Sequence, residues 1–183
     1  GYTPQDIQAV AVAAGPGSFT GVRIGVAAAK GFAWGRELPC YGVSTLEAMA
    51  LQAGVWQGYI LPVMDARREQ VYNALFHAKD GKTERLCPDR AISLQELGEE
   101  IKNLSEPVFL IGDGSVLCYN TLKSTVPELV LPPEHRMHQR AAGVALAAGL
   151  QIAAGAPGDG AGLVPNYLRL SQAERERLAR EQK

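Results

Sequence analysis

The sequence predicts a two-lobed α/β fold, and two observations carry this prediction. An apolar, β-branched segment, residues 7–14, leads through a Gly-Pro-Gly loop into a helix, and a second strand and helix follow at once. After residue 57 the pattern changes to several strands followed by alternating helices and strands, which indicates a second lobe with its own sheet. We therefore expect two α/β lobes joined near residues 54–58.

Composition limits the classes of function. The 183 residues are enough for one large or two small domains, and 18 Lys+Arg against 19 Asp+Glu give a net charge of -1. A nearly neutral chain argues against general affinity for nucleic-acid phosphates. Cys40, Cys87 and Cys118 lack a CxxC pair, which suits a reducing compartment and indicates neither a disulfide nor a zinc site. No apolar run could span a bilayer and no signal peptide is present, so we expect a cytoplasmic protein without a membrane partner.

The first predicted helix follows the loop Gly15–Gly17 and ends near Gly35, with Ser18 or Thr20 as its cap. At 100° per residue, one face carries Val22, Val26, Ala29 and Ala33. The opposite face is also apolar and consists of Ile24, Ala27, Ala28, Gly31 and Trp34. Arg23 and Lys30 form a polar stripe between the two faces.

A helix that is apolar nearly all round is buried on both sides. One side should lie on its own sheet, and the other needs a further element of this chain or another protein. Small residues allow close approach of a second backbone, and Phe19 and Trp34 lie at the two ends, so the far face suits docking. The alternative is a central helix inside a large α/β domain.

The remaining elements follow in order. Residues 38–43 read as a parallel strand, and Ser44 caps a helix over 45–53 with Glu47 in capping-box position. Ser93 opens a helix that is rich in acidic residues near its start, as the helix dipole favours. The other predictions are strands at 59–65, 69–78, 81–87, 108–112 and 128–131, and helices at 92–104, 114–123, 140–154 and 173–182.

Two loops could bind an anion. In the first, Gly17 and Ser18 precede a helix N-terminus, where backbone N–H groups could hold a phosphate; a tight structural turn is the alternative. The loop is neither a Walker motif nor a dinucleotide fingerprint, and Pro16 excludes a GxSxG elbow. In the second, Asp65 and Arg67 follow a strand. We favour a turn in which the two side chains pair with each other; a phosphate or magnesium site is the alternative. His135 and His138, an i,i+3 pair in a polar loop, are expected to be solvated.

Several motifs also carry a resemblance to a known family. They are the run from Gly15 to Gly25 (GPGSFTGVRIG), then Ala-Lys-Gly at 29–31, Pro39, GVSTL at 42–46, DAR at 65–67 with Glu69, VY at 71–72, and Pro165 with YLR at 167–169. In these the chain resembles the TsaB (YeaZ) family, bacterial accessory proteins for threonylcarbamoyladenosine formation on tRNA. Between Lys79 and Gly162 the likeness is one of pattern only.

The resemblance implies an ASKHA fold, the two-lobed fold of actin and Hsp70. Residues 1–56 would be the remainder of the first lobe, 57–162 the second lobe, and 163–183 a segment that returns to the first lobe and ends in a charged tail. Members of the family begin with a strand–helix unit that has no counterpart before Gly1, so the first lobe is expected to be incomplete in this chain.

The resemblance also implies a role without catalysis. In the related TsaD/Kae1 transferases two histidines hold the catalytic metal, and the matching positions here are Thr45 and Met49, neither of which replaces imidazole. We expect no metal and no catalytic residue.

The implied role is a scaffold that binds a TsaD-type transferase, reaches a TsaE-type ATPase and tRNA only through that complex, and self-associates when alone. The expected partner face comprises Phe19, Arg23, Ile24, Ala27, Ala28, Lys30, Gly31 and Trp34. No cofactor is expected to bind directly, with ATP or ADP at the partner interface left open.

Two other functions stay as alternatives. A nucleotide-binding kinase or ATP-dependent hydrolase of the same fold would use Gly17, Ser18, Asp65 and Arg67. A protease is the third reading, and the missing metal and nucleophile motifs argue against it.

Overall fold

A two-stranded parallel sheet and the helix between its strands form the first unit. The computed structural model describes residues 1–53, 56–169, 177 and 180. Strand β1 (Val10–Gly15) pairs with β2 (Cys40–Ser44), and helix α1 (Phe19–Trp34) connects them. A single helical turn, Pro4–Asp6, precedes β1. The predicted strand–loop–helix–strand order is confirmed.

A seven-stranded sheet forms the second unit, with β3 (Gly58–Asp65) at its centre. Strand β3 pairs antiparallel with the next two strands of the chain and parallel with a third strand further along. The remaining strands are β4 (Gln70–Asn73), β5 (Phe76–Lys79), β6 (Lys82–Arg85), β7 (Arg90–Ser93), β8 (Val108–Ile111) and β9 (Leu129–Val130). The helices of this unit are α3 (Leu94–Ile101), α4 (Ser115–Leu122) and α5 (Glu134–Met137), whereas α6 (Ala141–Ala153) packs against β1 and β2 of the first unit.

Helix α2 (Thr45–Gln52) packs against both sheets. Leu46 and Met49 belong to a core cluster with Ile60 and Phe76 of the second sheet. Ala48 belongs to a different cluster that includes Val43 of β2 and residues of α6. The short α2 therefore contributes to the cores of both units, and burial of its apolar side chains stabilises their junction.

Several predictions of the second unit need correction. The single strand predicted over 69–78 is two strands, β4 and β5, which pair with different parts of β3. Strand β7 was missed, because only its antiparallel pairing with β4 makes residues 90–93 a strand. Helix α5 was also missed, and it lies in the segment predicted to be a polar loop. Apart from residues 177 and 180, the helix predicted over 173–182 lies outside the described residues, as do residues 54 and 55 of the predicted junction.

Serine caps begin three helices as predicted. The hydroxyls of Ser18, Ser44 and Ser93 accept hydrogen bonds from backbone N–H groups three residues on. Glu96 completes a capping box with Ser93. The capping box predicted at Ser44 is wrong, because the Glu47 carboxylate lies 3.6 Å from Arg85 instead of turning back to the cap.

Candidate functional site

Helix α1 presents an apolar face that the described chain leaves open. The inner side is buried, with Val26 at 4% and Ala33 at 3% exposure. On the outer side Ile24 is 65% exposed and Trp34 82% exposed. All five residues predicted for the outer face are exposed: Ile24, Ala27, Ala28, Gly31 and Trp34. The 100° periodicity of the sequence thus identified the open side of the helix.

Phe32 is a member of this surface that the sequence analysis missed. Its side chain is 43% exposed and lies under the guanidinium of Arg36, 5.6 Å from the ring centroid. The signal was present, because Phe32 follows Ala28 by four residues and so lies on the same side of the helix. We call the exposed apolar surface formed by these residues the α1 face: Ile24, Ala27, Ala28, Gly31, Phe32 and Trp34.

Three residues that were predicted to bind a partner contact the chain's own C-terminal segment. Arg23 Nε donates a hydrogen bond of 2.8 Å to the hydroxyl of Tyr167, and Phe19 stacks on the Tyr167 ring. Lys30 Nζ donates to the carbonyl oxygens of Ala161 and Leu163, at 3.0 and 2.9 Å. These hydrogen bonds and the ring contact hold the C-terminal segment against α1. The three residues that make them are not part of the α1 face.

That segment continues from α1 to both sheets. The N–H of Asn166 donates to the carbonyl of Ala14 at the end of β1, at 2.7 Å. Arg169 then reaches the carbonyl of Ala66, next to the end of β3. The segment therefore contacts α1 and β1 of the first unit, and Arg169 contacts the second unit.

The Gly15–Gly17 loop is filled by the chain itself. Gly15 has a φ of 126°, and a Cβ there would lie 2.3 Å from the carbonyl oxygen of Asn166. A Cβ on Gly17 would lie 3.0 Å from a methyl of Val22. Because Ser18 uses its hydroxyl to cap α1, these contacts favour the structural turn over an anion site.

The second candidate loop pairs its charges internally. Asp65 Oδ1 accepts the N–H of Arg67 at 2.7 Å, and Oδ2 accepts from the Arg67 guanidinium at 3.1 Å. Residues 67–69 all have positive φ, between 57° and 65°. This is the geometry of the predicted turn. The two loops do approach one another, since a Cβ on Gly17 would lie 4.0 Å from Met64, the neighbour of Asp65.

The two positions that the resemblance matches to metal-binding histidines hold buried, uncharged side chains. Thr45 is 5% and Met49 1% exposed, and both line a cavity of about 160 Å³ between α2 and α6. Within the described ranges, no cluster of three or more His, Cys, Asp and Glu could hold a metal ion. His135 and His138 are exposed, as expected for solvated side chains.

The three cysteines are free thiols. Burial raises the pKa of Cys118 to about 12, so its thiol stays protonated and unreactive at neutral pH. Burial also raises the pKa of Cys40, and the charge of Lys30 opposes part of that shift. Of the helices in the described part of the chain, none has both the length and the apolar character needed to cross a bilayer.

Comparison with known proteins defines the class. The family described as "TsaD: tRNA N6-adenosine threonylcarbamoyltransferase" matches residues 1–176. Two solved structures from Pseudomonas aeruginosa share the fold: one of an uncharacterized protein with similarity to peptidase YEAZ (TM-score 0.71, 23% identity) and one of YeaZ (TM-score 0.67, 21% identity). They cover 91% and 90% of this chain, and each alignment spans 76% of the solved chain. The molecule is therefore a TsaD-like α/β protein with the fold of YeaZ.

Sequence comparison with curated relatives identifies the family within this class. The Bacillus subtilis tRNA threonylcarbamoyladenosine biosynthesis protein TsaB is 38% identical over 172 residues, which are 93% of this chain and 73% of the relative. The Escherichia coli protein of the same name is 44% identical over 92 residues, 44% of this chain and 39% of the relative. The chain belongs to the TsaB (YeaZ) family.

Proposed function

We propose that this protein is a non-catalytic subunit of tRNA threonylcarbamoyladenosine biosynthesis that binds and activates a TsaD-type transferase through the α1 face. The observation that carries the proposal is the exposure of Ile24 and Trp34 beside small residues on one side of a helix. The free energy falls when a partner removes large apolar side chains in a contiguous patch from water, and this favours association. Small residues between them let a partner helix approach closely.

The side chains of Thr45 and Met49 support the part of the proposal that assigns no catalysis to this subunit. A hydroxyl and a thioether in place of two imidazoles are poor ligands for the hard or borderline divalent metals that such transferases need. The chemistry would then belong to the transferase subunit.

The other proposed partners would also depend on the α1 face. Alone, the protein would use the α1 face to form a homodimer, and transferase binding would replace that contact. A TsaE-type ATPase and the tRNA would be reached through the complex, with ATP or ADP, if present, at the interface. Such an assembly would be cytoplasmic.

The nucleotide-binding alternative has less support. The Ser18 hydroxyl caps α1 and the Asp65 carboxylate is bound to Arg67, so both groups already have partners. The carbonyl of Asn166 lies where a ligand would have to approach Gly15.

Charge substitutions on the α1 face test the proposal. A Cβ on Gly31 has no heavy atom within 4 Å and Ala27 is exposed, so the fold accommodates Gly31→Glu and Ala27→Glu. Each places a charge that would be buried unpaired in the complex, which should weaken binding at least about tenfold. Ser124→Glu, at an exposed site on the second unit, is the matched control.

The readouts are gel filtration, a pull-down with the transferase and stimulation of its activity. We expect both α1 variants to melt like the parent, to elute as monomers and to lose stimulation, while the control behaves as the parent. If both variants still dimerise and still capture the transferase, the partner surface lies elsewhere.

A further inference from the structure

A groove of about 450 Å³ lies between helices α3 and α4 of the second unit, and we call it the α3–α4 groove. Its volume is in the range of cavities that take up a ligand or the side chains of a partner. Leu94 and Leu122 form the base and are 4% and 5% exposed, whereas Leu117 on the rim is 41% exposed. The groove is therefore open to solvent and apolar along its base.

The elements that line the groove are held by close contacts. A Cβ on Gly98 would lie 2.8 Å from a methyl of Leu122, so the glycine lets α4 approach α3. The N–H of Leu94 donates to the Glu69 carbonyl at 3.0 Å, which fixes the turn after β3 against the start of α3. The groove is thus set by the packing of the fold.

The charged side chains of the groove are acidic. Among the described residues that line it, Glu69 and Glu99 are charged and none is basic. Glu99 pairs with Lys102, whereas the exposed carboxylate of Glu69 has no ion pair or hydrogen bond within the described part of the chain. A carboxylate beside an apolar groove attracts a cation and repels a phosphate group.

The end of α4 adds to this negative potential. Thr121 and Thr125, at and just after the last turn of α4, line the groove, and that turn contains no basic residue. The C-terminal end of a helix carries a partial negative charge. Lys123 follows, but its ammonium lies over the ring of Tyr119, which is outside the lining. The potential disfavours nucleotides, nucleic acids and anionic lipids as occupants.

We propose that the α3–α4 groove binds a basic amphipathic helix of another protein. Aliphatic side chains of that helix would cover Leu94, Leu117 and Leu122, and a lysine or arginine would pair with Glu69. Helix α3 has eight residues, so the groove matches about two turns of a partner helix. Complementary charge supplies the specificity for a basic segment. This interaction is independent of the α1 face.

An NMR titration of the ¹⁵N-labelled chain with a synthetic peptide tests the groove. The probe is a helical peptide of about 14 residues, with leucines on one side and lysines on the other. It should shift the amide signals of Gln95, Glu99 and Thr121 saturably, with a dissociation constant of the order of 100 μM at low salt. Sodium chloride at about 0.5 M should weaken binding several-fold.

Two further peptides separate the contributions of charge and apolar contact. One has glutamate in place of lysine and the other serine in place of leucine, and each should bind at least about tenfold more weakly than the probe. Equal binding of the glutamate peptide would overturn the basic partner. Equal binding of the serine peptide would overturn the apolar base as a contact, and shifts confined to α1 would overturn the groove as the site.

Two variants make the test specific. Glu69→Gln removes the unpaired charge and should weaken binding of the probe about threefold, and Leu117→Ser should weaken it about fivefold. Glu84→Gln and Leu86→Ser are the matched controls, since both positions are exposed and lie outside the groove, and they should bind like the parent. If Leu117→Ser lowers the melting temperature, Glu69→Gln decides: unchanged binding by that variant, with native melting, contradicts the proposal.

Discussion

The rings of Tyr167 and Phe19 are stacked, with centroids 4.5 Å apart and planes inclined by 23°. The guanidinium of Arg23 lies over the Phe19 ring, 4.3 Å from its centroid, and also donates to the Tyr167 hydroxyl. Two residues separated by almost the whole chain thus fix the C-terminal segment to the start of α1. Arg23, an exposed residue of the polar stripe of α1, therefore has a partner within its own chain.

Substitution of Tyr167 should separate the two parts of this contact. Tyr167→Phe loses the hydrogen bond from Arg23, which should lower the free energy of unfolding by about 0.5–1.5 kcal/mol. Tyr167→Ala also loses the ring contact, worth roughly a further 0.5–1.5 kcal/mol. Urea unfolding measures both, with Tyr2→Phe, at a 98% exposed position, as control. Equal stabilities for Tyr167→Phe and the control would show that the hydrogen bond contributes nothing.

Two glycines of α6 should respond to alanine with opposite signs. A Cβ on Gly143 would lie 2.1 Å from the Ala48 carbonyl oxygen, whereas a Cβ on Gly149 meets nothing within 4 Å. Gly143→Ala must push α6 away from α2, at a cost of about 1–3 kcal/mol. Gly149→Ala should instead stabilise the helix by about 0.5–1 kcal/mol. Thermal melting of the two variants gives the comparison, and shifts of the same sign would contradict the close α2–α6 contact.

Features that depend on nearby residues were predictable from the sequence. The caps at Ser18, Ser44 and Ser93 each involve a partner three residues away, so the local pattern identifies them. The outer side of α1 follows from helical periodicity alone. Strand β7 was not predictable in this way, because residues 90–93 are a strand only through their pairing with β4.

The same distinction holds for the candidate sites. The roles of Arg23 and Lys30 depend on carbonyl and hydroxyl groups more than 130 residues away in the chain. The cavity lined by Thr45 and Met49 likewise depends on the packing of α6 against α2. Sequence periodicity carries no information on such pairings, so these contacts could be found only in the folded chain.

The capping box at Ser93 should make stability depend on pH. The Ser93 hydroxyl, and next its backbone N–H, donate to the Glu96 carboxylate and hold the pKa of that carboxyl below its usual value. A carboxyl whose pKa is lower in the folded than in the unfolded state stabilises the fold above the unfolded pKa, about 4.3. That stabilisation is lost as the pH falls through the folded pKa.

Glu96→Gln removes this titration. The variant should lose stability less steeply than the parent as the pH falls below about 4.5, since an amide does not take up a proton. Urea midpoints at a series of acidic pH values measure the slope. Glu84→Gln, at an exposed strand position, serves as control and should keep the parental slope. A slope for Glu96→Gln equal to that of the control would argue against a lowered pKa.

Asp65→Asn tests whether the loop after β3 is only a turn. Asparagine keeps an oxygen for the Arg67 N–H and loses only the charge pair with a guanidinium whose side chain is 86% exposed. The cost should be below about 1 kcal/mol. Stimulation of the transferase and assembly with it should remain at the parental level. Loss of stimulation with normal melting and assembly would instead support the nucleotide-binding alternative.

Asp89 forms a polar link between the two units. Its side chain is 9% exposed, and it accepts hydrogen bonds from the Ser44 hydroxyl at 2.6 Å and from Arg85 at 2.7 Å. Ser44 begins α2, whereas Arg85 and Asp89 flank the end of β6 in the second unit. Arg85 also lies 4.6 Å above the Phe76 ring, so the carboxylate holds a half-buried cation in place.

Asp89→Ala should therefore loosen the junction. It leaves the Arg85 guanidinium and the Ser44 hydroxyl without their shared acceptor, at a cost of about 2–4 kcal/mol, less than for a fully buried pair because Arg85 keeps some contact with water. Asp89→Asn keeps an acceptor for Ser44 and should cost less. Asp113→Ala, at an exposed site, is the control. Hydrogen exchange provides the local readout: the amide of Glu47, which donates to Ser44, should exchange faster in Asp89→Ala than in the control, and equal rates would mean that the carboxylate does not secure the start of α2.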